Sequence, residues 1–209
     1  MSLTFKIIIL GDQFTGKTSL LNRIASNTFY NTYSATIGID YTNINYTTDN
    51  KDYNIILWDT SGQDKFDFLL QSYFKNITGA IIVYDITNLS SFNSVKRRIN
   101  EFRECKEDFD LPILVISNKI DLEKNRVVQK DALKKLKHMY KVYVLEASVR
   151  ENINVDKIID IFIDDIEKKL LDNTLIPCNE NGIKIKTSKD AIEFEFEQPL
   201  KDNKCCNIL

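Results

Sequence analysis

The sequence is poor in several residue types, and each scarcity excludes a class of protein. Its 209 residues include three prolines, six glycines, four cysteines and a single histidine, His138. So few prolines and glycines exclude a collagenous, elastic or mostly disordered chain. One imidazole excludes a histidine-rich zinc site and a two-histidine mechanism. No Cys-x-x-Cys pair is present, which excludes a disulfide framework and favours the reducing cytoplasm. The cysteines are Cys105, Cys178, Cys205 and Cys206.

A strong charge excess and a long apolar run are missing as well. The formal net charge is −2, so nucleic acid is not expected as a partner. No apolar stretch approaches the roughly 20 residues that span a bilayer, and the first residues lack the pattern of a signal peptide. Ser2 takes the place of the glycine that N-myristoylation requires. We therefore expect a chain that does not cross a membrane by its own backbone.

Short apolar runs alternate with segments of helical periodicity, which predicts an α/β fold with a mostly parallel sheet. The predicted strands are Leu3–Leu10, Ile39–Thr47, Tyr53–Trp58, Ala80–Ile86, Pro112–Ser117 and Lys141–Leu145. A polar turn joins the second and third strands, which predicts one antiparallel hairpin at the edge of a six-stranded sheet. The predicted helices, on both faces of the sheet, are Lys17–Ala25, Ser91–Lys106, Asp131–Met139 and Val155–Leu171.

The composition changes after Leu171. Residues 1–171 are predicted to form one domain, and residues 172–209 a flexible tail outside the core. Within the tail, Ile183–Lys186 and Ile192–Glu197 alternate with the period of a strand. A solvated linker is the favoured interpretation. A short hairpin, or a strand that docks on a partner, is the alternative.

The most specific motif runs from Gly11 to Thr18 and matches GxxxxGK[ST] between a predicted strand and a predicted helix. Loop amides and the helix N-terminus at this place form a concave site for phosphates. Lys17 supplies a catalytic positive charge to the β- and γ-phosphates, and the Thr18 hydroxyl is a ligand for Mg²⁺. The candidate nucleotide-binding residues of this phosphate loop are Gly11, Asp12, Gln13, Thr15, Gly16, Lys17, Thr18 and Ser19.

Two further motifs follow predicted strands. Asn118-Lys119-Ile-Asp121 lies where the carboxyl edge of an α/β sheet binds ligands. The Asp121 carboxylate accepts both N–H donors of guanine, whereas adenine offers a mismatched pattern, and Asn118 and Lys119 brace the base and the phosphate loop. In the second motif, Asp59-Thr-Ser-Gly62-Gln63, the carboxylate is expected to hold Mg²⁺. Gly62 allows an amide to approach the γ-phosphate, and Gln63 orients the attacking water.

With these three motifs in order, residues 3–171 resemble the Ras superfamily of small GTPases, and specifically a Rab. The finer resemblance lies in the stretches IGIDY (37–41), QDKF (63–66) and SYFK (72–75). It implies the P-loop NTPase fold, a monomer, and a GTP/GDP switch with Mg²⁺ in vesicle trafficking. The expected partners are a GTPase-activating protein (GAP), an exchange factor, effectors and a prenyl-binding escort protein.

The resemblance also implies roles for single residues. Thr36 meets Mg²⁺ and the γ-phosphate, Phe29 packs against guanine, and Tyr33 closes over the phosphates. Ser148 and Val149 belong to a loop whose backbone amide meets the guanine oxygen. An exposed aromatic patch read by effectors is implied at Ile39, Tyr41, Trp58 and Tyr73, although each aromatic taken singly fits plain core packing as well.

The paired thiols of Cys205 and Cys206 follow a tail that is not polybasic. Two prenyl chains anchor a protein stably where one lipid is marginal, so we expect the protein to cycle between cytoplasm and the cytosolic face of an intracellular membrane.

Several positions depart from the family pattern. Gln13 and Phe14 stand beside the place of the catalytic water, Val149-Arg150 replaces Ala-Lys in the base loop, and Ser61 replaces a common alanine. Slow, GAP-dependent hydrolysis is the favoured expectation, since the motifs contain no arginine placed to stabilise the transition state. The first alternative is a GTP-binding module that barely hydrolyses because Gln13 and Phe14 obstruct the site. The second is an ATP-using P-loop enzyme.

Overall fold

The computed structural model describes residues 2–30, 36, 38–48, 51–62, 74, 76–106, 110–178 and 181–186. The strands are β1 (Ser2–Leu10), β2 (Ile39–Thr48), β3 (Lys51–Thr60), β4 (Gly79–Asp85), β5 (Ile113–Asn118), β6 (Tyr143–Glu146) and β7 (Lys184–Lys186). The helices are α1 (Lys17–Ser26), α2 (Leu89–Cys105), a 3₁₀ helix (Ile120–Asn125), α3 (Lys130–Tyr140) and α4 (Lys157–Leu171). No helix in this part of the chain is long and apolar enough to cross a membrane.

The sheet has the strand order β2-β3-β1-β4-β5-β6, and all of these strands are parallel except β2, which is antiparallel to β3. Every residue of β4 and β5 is buried, as expected for central strands covered on both faces. The buried hydroxyls of Tyr84 and Ser117 form a hydrogen bond with each other inside this core, at 2.6 Å. The predicted α/β fold, with a mostly parallel six-stranded sheet, one antiparallel hairpin and flanking helices, is confirmed.

The β2–β3 hairpin is tied to α4 by polar side chains. The Tyr46 hydroxyl donates to Asp160 at 2.6 Å, while the Tyr53 hydroxyl and the Lys51 ammonium both donate to Glu167, at 2.5 and 2.7 Å. The bond to Asp160 raises the pKa of Tyr46 to about 12. The end of the hairpin far from Gly62 is therefore held against the closing helix.

The chain after α4 corrects one expectation. Leu175, Asn181 and Ile183 are buried, so the prediction that residues 172–209 lie outside the core is wrong at these positions. Lys184–Lys186 forms a seventh strand antiparallel to β1. The physical reason is a gap in the sheet: β4 pairs with β1 only from Ile7 onward, which leaves the same edge of Ser2–Thr4 for β7. Residues 187–209 lie outside the described residues, and their assignment as a flexible tail stays a prediction.

Candidate nucleotide-binding site

The phosphate loop connects the end of β1 to the start of α1. Gly16 has φ of +98°, and a Cβ atom there would lie 2.4 Å from the Asn118 side-chain nitrogen. A glycine is thus needed both for the left-handed backbone and for the close approach of the base-binding segment. Asn118 donates from Nδ2 to the Thr15 carbonyl at 2.8 Å, and its Oδ1 accepts from the Val149 amide at 3.2 Å. One buried side chain at the end of β5 therefore joins the phosphate loop to the loop that contains Val149.

Lys17 is a buried cation at the centre of the loop. Its side chain bonds to the Asp12 carbonyl at 2.8 Å, and the residue is 6% exposed. Burial lowers the pKa of the Lys17 ammonium to about 8; the Asp59 and Asp12 carboxylates oppose this shift, and the positive charge of Arg98 adds to it. A bound phosphate would stabilise the charged form, because the nearby carboxylates do not fully compensate for the lost hydration.

Thr18, Thr36 and Asp59 come together beside Lys17. The Thr18 hydroxyl donates to Asp59 Oδ2 at 2.5 Å, and the Thr36 hydroxyl lies 2.8 Å from the Thr18 hydroxyl and 3.2 Å from Oδ2. Burial raises the pKa of the Asp59 carboxyl, and its Oδ1 is buried with no hydrogen-bond partner among the described residues. Two hydroxyls and a carboxylate with a spare oxygen form the hard oxygen donor set that Mg²⁺ prefers, so these residues fit the ion.

The predicted base-binding segment begins at the end of β5. Lys119 pairs with the Asp85 carboxylate at 2.6 Å. The Ser148 hydroxyl donates to Asp121 Oδ1 at 2.6 Å and accepts from the Glu151 amide at 3.1 Å. The Asp121 carboxylate is thereby oriented although it is exposed. Val149 belongs to the loop that is expected to meet the guanine oxygen. Its backbone amide donates to Asn118 Oδ1 in this structure.

These motifs line a single cavity of about 500 Å³, a size suited to a nucleotide. Gly62 is part of its wall, where a Cβ atom would lie 2.5 Å from Lys17 Nζ. Phe29, which is predicted to pack against the base, also lines the cavity, with the Arg23 guanidinium 5.8 Å from its ring. The other predicted site residues on the wall are Gln13, Gly16, Thr18, Ser19, Thr36, Asn118, Lys119, Asp121 and Val149.

Comparison with known proteins agrees with this geometry. The profile of the Ras family matches residues 6–168. The chain belongs to the Ras family. Over 162 residues, 78% of this chain and 72% of the relative, it is 39% identical to Ras-related protein Rab-11C of Dictyostelium discoideum. Over 154 residues, 73% and 75% of the two chains, it is 38% identical to Ras-related protein RIC1 of Oryza sativa subsp. japonica. Ras-family small GTPases hydrolyse GTP, and these relatives support a Rab-like relationship.

Three predicted aromatic or apolar residues of the Ras-family effector patch are described. Tyr41 is 45% exposed and stacks on Trp58, with ring centroids 5.7 Å apart and an interplanar angle of 27°. Ile39 packs partly against the core. Gln63, Tyr33, Tyr73, Cys205 and Cys206 lie outside the described residues, so the catalytic, effector and lipidation roles expected of them stay predictions.

Other residues that support this Ras-family site were missed from sequence. The Ser94 hydroxyl on α2 donates to Asp12 Oδ2 at 2.7 Å and holds the phosphate loop against the helix. Arg23 donates from Nε to the Val149 carbonyl at 3.0 Å. Arg98 is buried one turn after Ser94 and pairs with Glu101 at 3.1 Å. None of them belongs to a local motif. Asp85, which pairs with Lys119, was missed as well. It could have been found from sequence, because it is a carboxylate at the end of an otherwise apolar strand.

Proposed function

We propose that this Ras-family protein is a Rab-like switch that binds GTP or GDP with Mg²⁺, hydrolyses GTP slowly and recruits effectors in vesicle trafficking. The observation that carries the proposal is one cavity lined by the buried Lys17 ammonium, by the Thr18 and Thr36 hydroxyls and by the oriented Asp121 carboxylate. Both hydroxyls contact the Asp59 carboxylate. The similarity to a Rab-11C protein supports the Rab-like part. Slow turnover follows from the absence of an arginine in the three motifs to stabilise the transition state, and a GAP would supply that charge.

Each part of the site has a task in this proposal. Lys17 and the loop amides bind the β- and γ-phosphates, and Gly62 brings a backbone amide to the γ-phosphate. Thr18, Thr36 and Asp59 would hold Mg²⁺, which neutralises charge on the phosphates when it is bound. Asp121 accepts from guanine, and Phe29 packs on the base. Loss of the γ-phosphate removes the contacts at Thr36 and Gly62, and this change reports the nucleotide state to effectors.

The membrane part of the proposal depends on Cys205 and Cys206. Prenylation of these cysteines would let the protein cycle between cytoplasm and the cytosolic face of an intracellular membrane, with a prenyl-binding escort protein in between. The stacked pair Tyr41–Trp58, together with Ile39, is the described part of the surface proposed to bind effectors. An exchange factor would load GTP.

Replacement of the proposed water-orienting residue tests hydrolysis. The full chain is loaded with GTP and Mg²⁺, and conversion of bound GTP to GDP is followed in a single turnover. We expect slow, finite conversion by the wild type and at least about tenfold slower conversion by Gln63→Leu, because leucine cannot orient water. Equal rates would remove Gln63 from the mechanism. Failure of the wild type to load GTP, or equal loading of ATP, would overturn the proposed function.

A second candidate function, a GTP-binding module with little hydrolysis, is favoured by Phe14. This residue holds φ of +63° in the phosphate loop beside Gln13, and it is 61% exposed at the rim of the cavity. Because Phe14 lies at the rim of the cavity and most of its surface is exposed to solvent, we infer that it does not fill the site, and the switch is the function that we favour.

Phe14→Gly separates the two candidates. Glycine removes the left-handed strain of an L-residue, so the free energy of unfolding should rise by up to about 1 kcal/mol. We expect the single-turnover GTP hydrolysis rate to stay within about threefold of the wild type. A tenfold or greater acceleration by Phe14→Gly would show that the ring obstructs hydrolysis and would favour the binding module. Thermal denaturation and single-turnover kinetics on the same GTP-loaded samples provide both readings.

A further inference from the structure

The chain that follows α4 returns to the domain. Residues 174–178 and 181–186, here named the strap, begin where the amides of Thr174 and Leu175 bond to the Lys169 carbonyl. Leu175 and Ile183 are both buried in the hydrophobic core. The strap ends in β7, whose three residues pair with Ser2–Thr4 of β1. Its two ends are therefore fixed to different elements of the domain.

Asn181 organises the middle of the strap and is fully buried. Its Nδ2 donates to the Ile176 carbonyl at 2.8 Å, and its Oδ1 accepts from the amides of Cys178 and Ile183 at 3.1 and 3.2 Å. One side chain thus satisfies three backbone groups that a solvated linker would leave to water. Such a complete network is the property of an ordered element.

The domain supplies a matching surface for the strap just before β4. The Thr78 hydroxyl accepts from the Lys6 amide at 3.2 Å and donates to the Asn181 carbonyl at 3.0 Å. Gly182 has φ of +72°, and a Cβ atom there would lie 1.8 Å from the Asn76 carbonyl oxygen. Only glycine fits at this position, because any side chain would collide with the backbone of Asn76. The contact is therefore specific and can be broken by one substitution.

We propose that the strap is a conformational device that fixes the root of the tail to the amino end of β1, on the sheet edge opposite the nucleotide, and can open without unfolding the domain. Separate opening follows from its position. Among the described strands, β7 pairs with β1 alone, and β1 keeps β3 and β4 as neighbours when β7 leaves. Opening breaks the three residue pairs between β7 and β1 and the contacts of the strap, while the pairing of the other six strands is kept, which is the pattern of a local opening.

The strap sets the length of chain that reaches Cys205. From Lys186, 18 residues (187–204) precede this cysteine, whereas 33 residues (172–204) precede it from the end of α4. This difference in length affects membrane attachment only if Cys205 and Cys206 are lipidated, as the proposed function states. The strap itself does not depend on it.

Hydrogen exchange on the full chain tests whether the strap is closed and can open alone. In the wild type, the amides of Cys178 and Ile183 should be protected. In Asn181→Ala and Gly182→Val, their exchange should be at least tenfold faster, while amides of β5 keep their rates and bound GDP is retained. Ile176→Ala is the matched control, because this strap side chain is 73% exposed and should leave exchange unchanged. Unprotected amides in the wild type, or unchanged rates in both variants, would overturn the proposal.

Distance measurement by pulsed electron spin resonance tests the tether. Spin labels are placed on the native Cys105 and Cys205 in the full chain, with Cys178→Ser and Cys206→Ser in every sample. Addition of Gly182→Val should broaden the distance distribution and shift its mean, because the segment that leads to Cys205 then starts at the end of α4 instead of at Lys186. Identical distributions would overturn the tether role. Because the labels need neither lipid nor GTP, a lengthened tether in a protein that fails to load GTP would leave the strap standing and overturn the proposed function alone.

Discussion

Lys17→Ala should lower the affinity for both GTP and GDP by at least about 30-fold. Removal of one partner from a buried charge pair costs about 2–5 kcal/mol, which corresponds to roughly 30- to 5000-fold in a dissociation constant. The ammonium lies between the Asp12 carbonyl and Gly62, the two sides of the predicted phosphate site. Titration of the nucleotide-free protein with a fluorescent GDP analogue measures the change.

The same variant should show that the loss concerns binding rather than folding. Burial lowers the pKa of Lys17, which means that the folded state disfavours the charged ammonium. Nucleotide-free Lys17→Ala should therefore unfold at a temperature no lower than that of the wild type. Lys130→Ala, which removes an ammonium from the surface of α3, should bind GDP within about twofold of the wild type. Unchanged affinity in Lys17→Ala would exclude this lysine from the phosphate site.

Asp121→Ala should abolish the preference for guanine. A carboxylate at this position accepts from the ring N–H and the exocyclic amine of guanine, and hydrogen bonds to charged groups contribute about 1.5–3 kcal/mol each. Loss of both predicts at least about 100-fold weaker GTP binding. ITP lacks the exocyclic amine. The wild type should therefore prefer GTP to ITP, and the variant should bind the two equally.

Competition of GTP, ITP and ATP against a fluorescent GDP analogue reads out this preference. Glu123→Ala is a suitable control, because this carboxylate lies on the same 3₁₀ helix and pairs with Arg126 instead of facing the base. Ser148→Ala should give a smaller loss than Asp121→Ala, since it removes only the hydroxyl that orients the carboxylate. If Asp121→Ala kept its preference for GTP over ITP, guanine recognition would have to come from elsewhere.

Most of the sheet was predictable because its central strands are apolar along their whole length. β4 and β5 are buried on both faces, so their sequences carry a continuous signal. The predicted loop motifs were recognisable for a related reason. The glycine at position 16 and the asparagine at 118 are each dictated by backbone shape or by several bonds at once.

The supporting contacts could not be predicted, because their partners are distant in sequence. Ser94 is an ordinary helix residue until the fold brings Asp12 within 2.7 Å, across 82 positions of chain. β7 is too short for its alternation to separate a strand from a linker, and its place depends on where β4 starts to pair. Its pairing with β1 is a property of the assembled sheet.

The position of β7 in the chain also determines when the sheet is completed during synthesis. Of the described strands, β1 leaves the ribosome first and β7 last. Roughly 100 residues separate β4 from β7, and at about 5–20 residues per second they take roughly 5–20 s to make. Throughout this interval, one edge of Ser2–Thr4 has no strand to pair with. A nascent chain with an open strand edge can bind chaperones or pair with a wrong strand. The pairing of the first strand, β1, is completed only when the last described strand, β7, has been made.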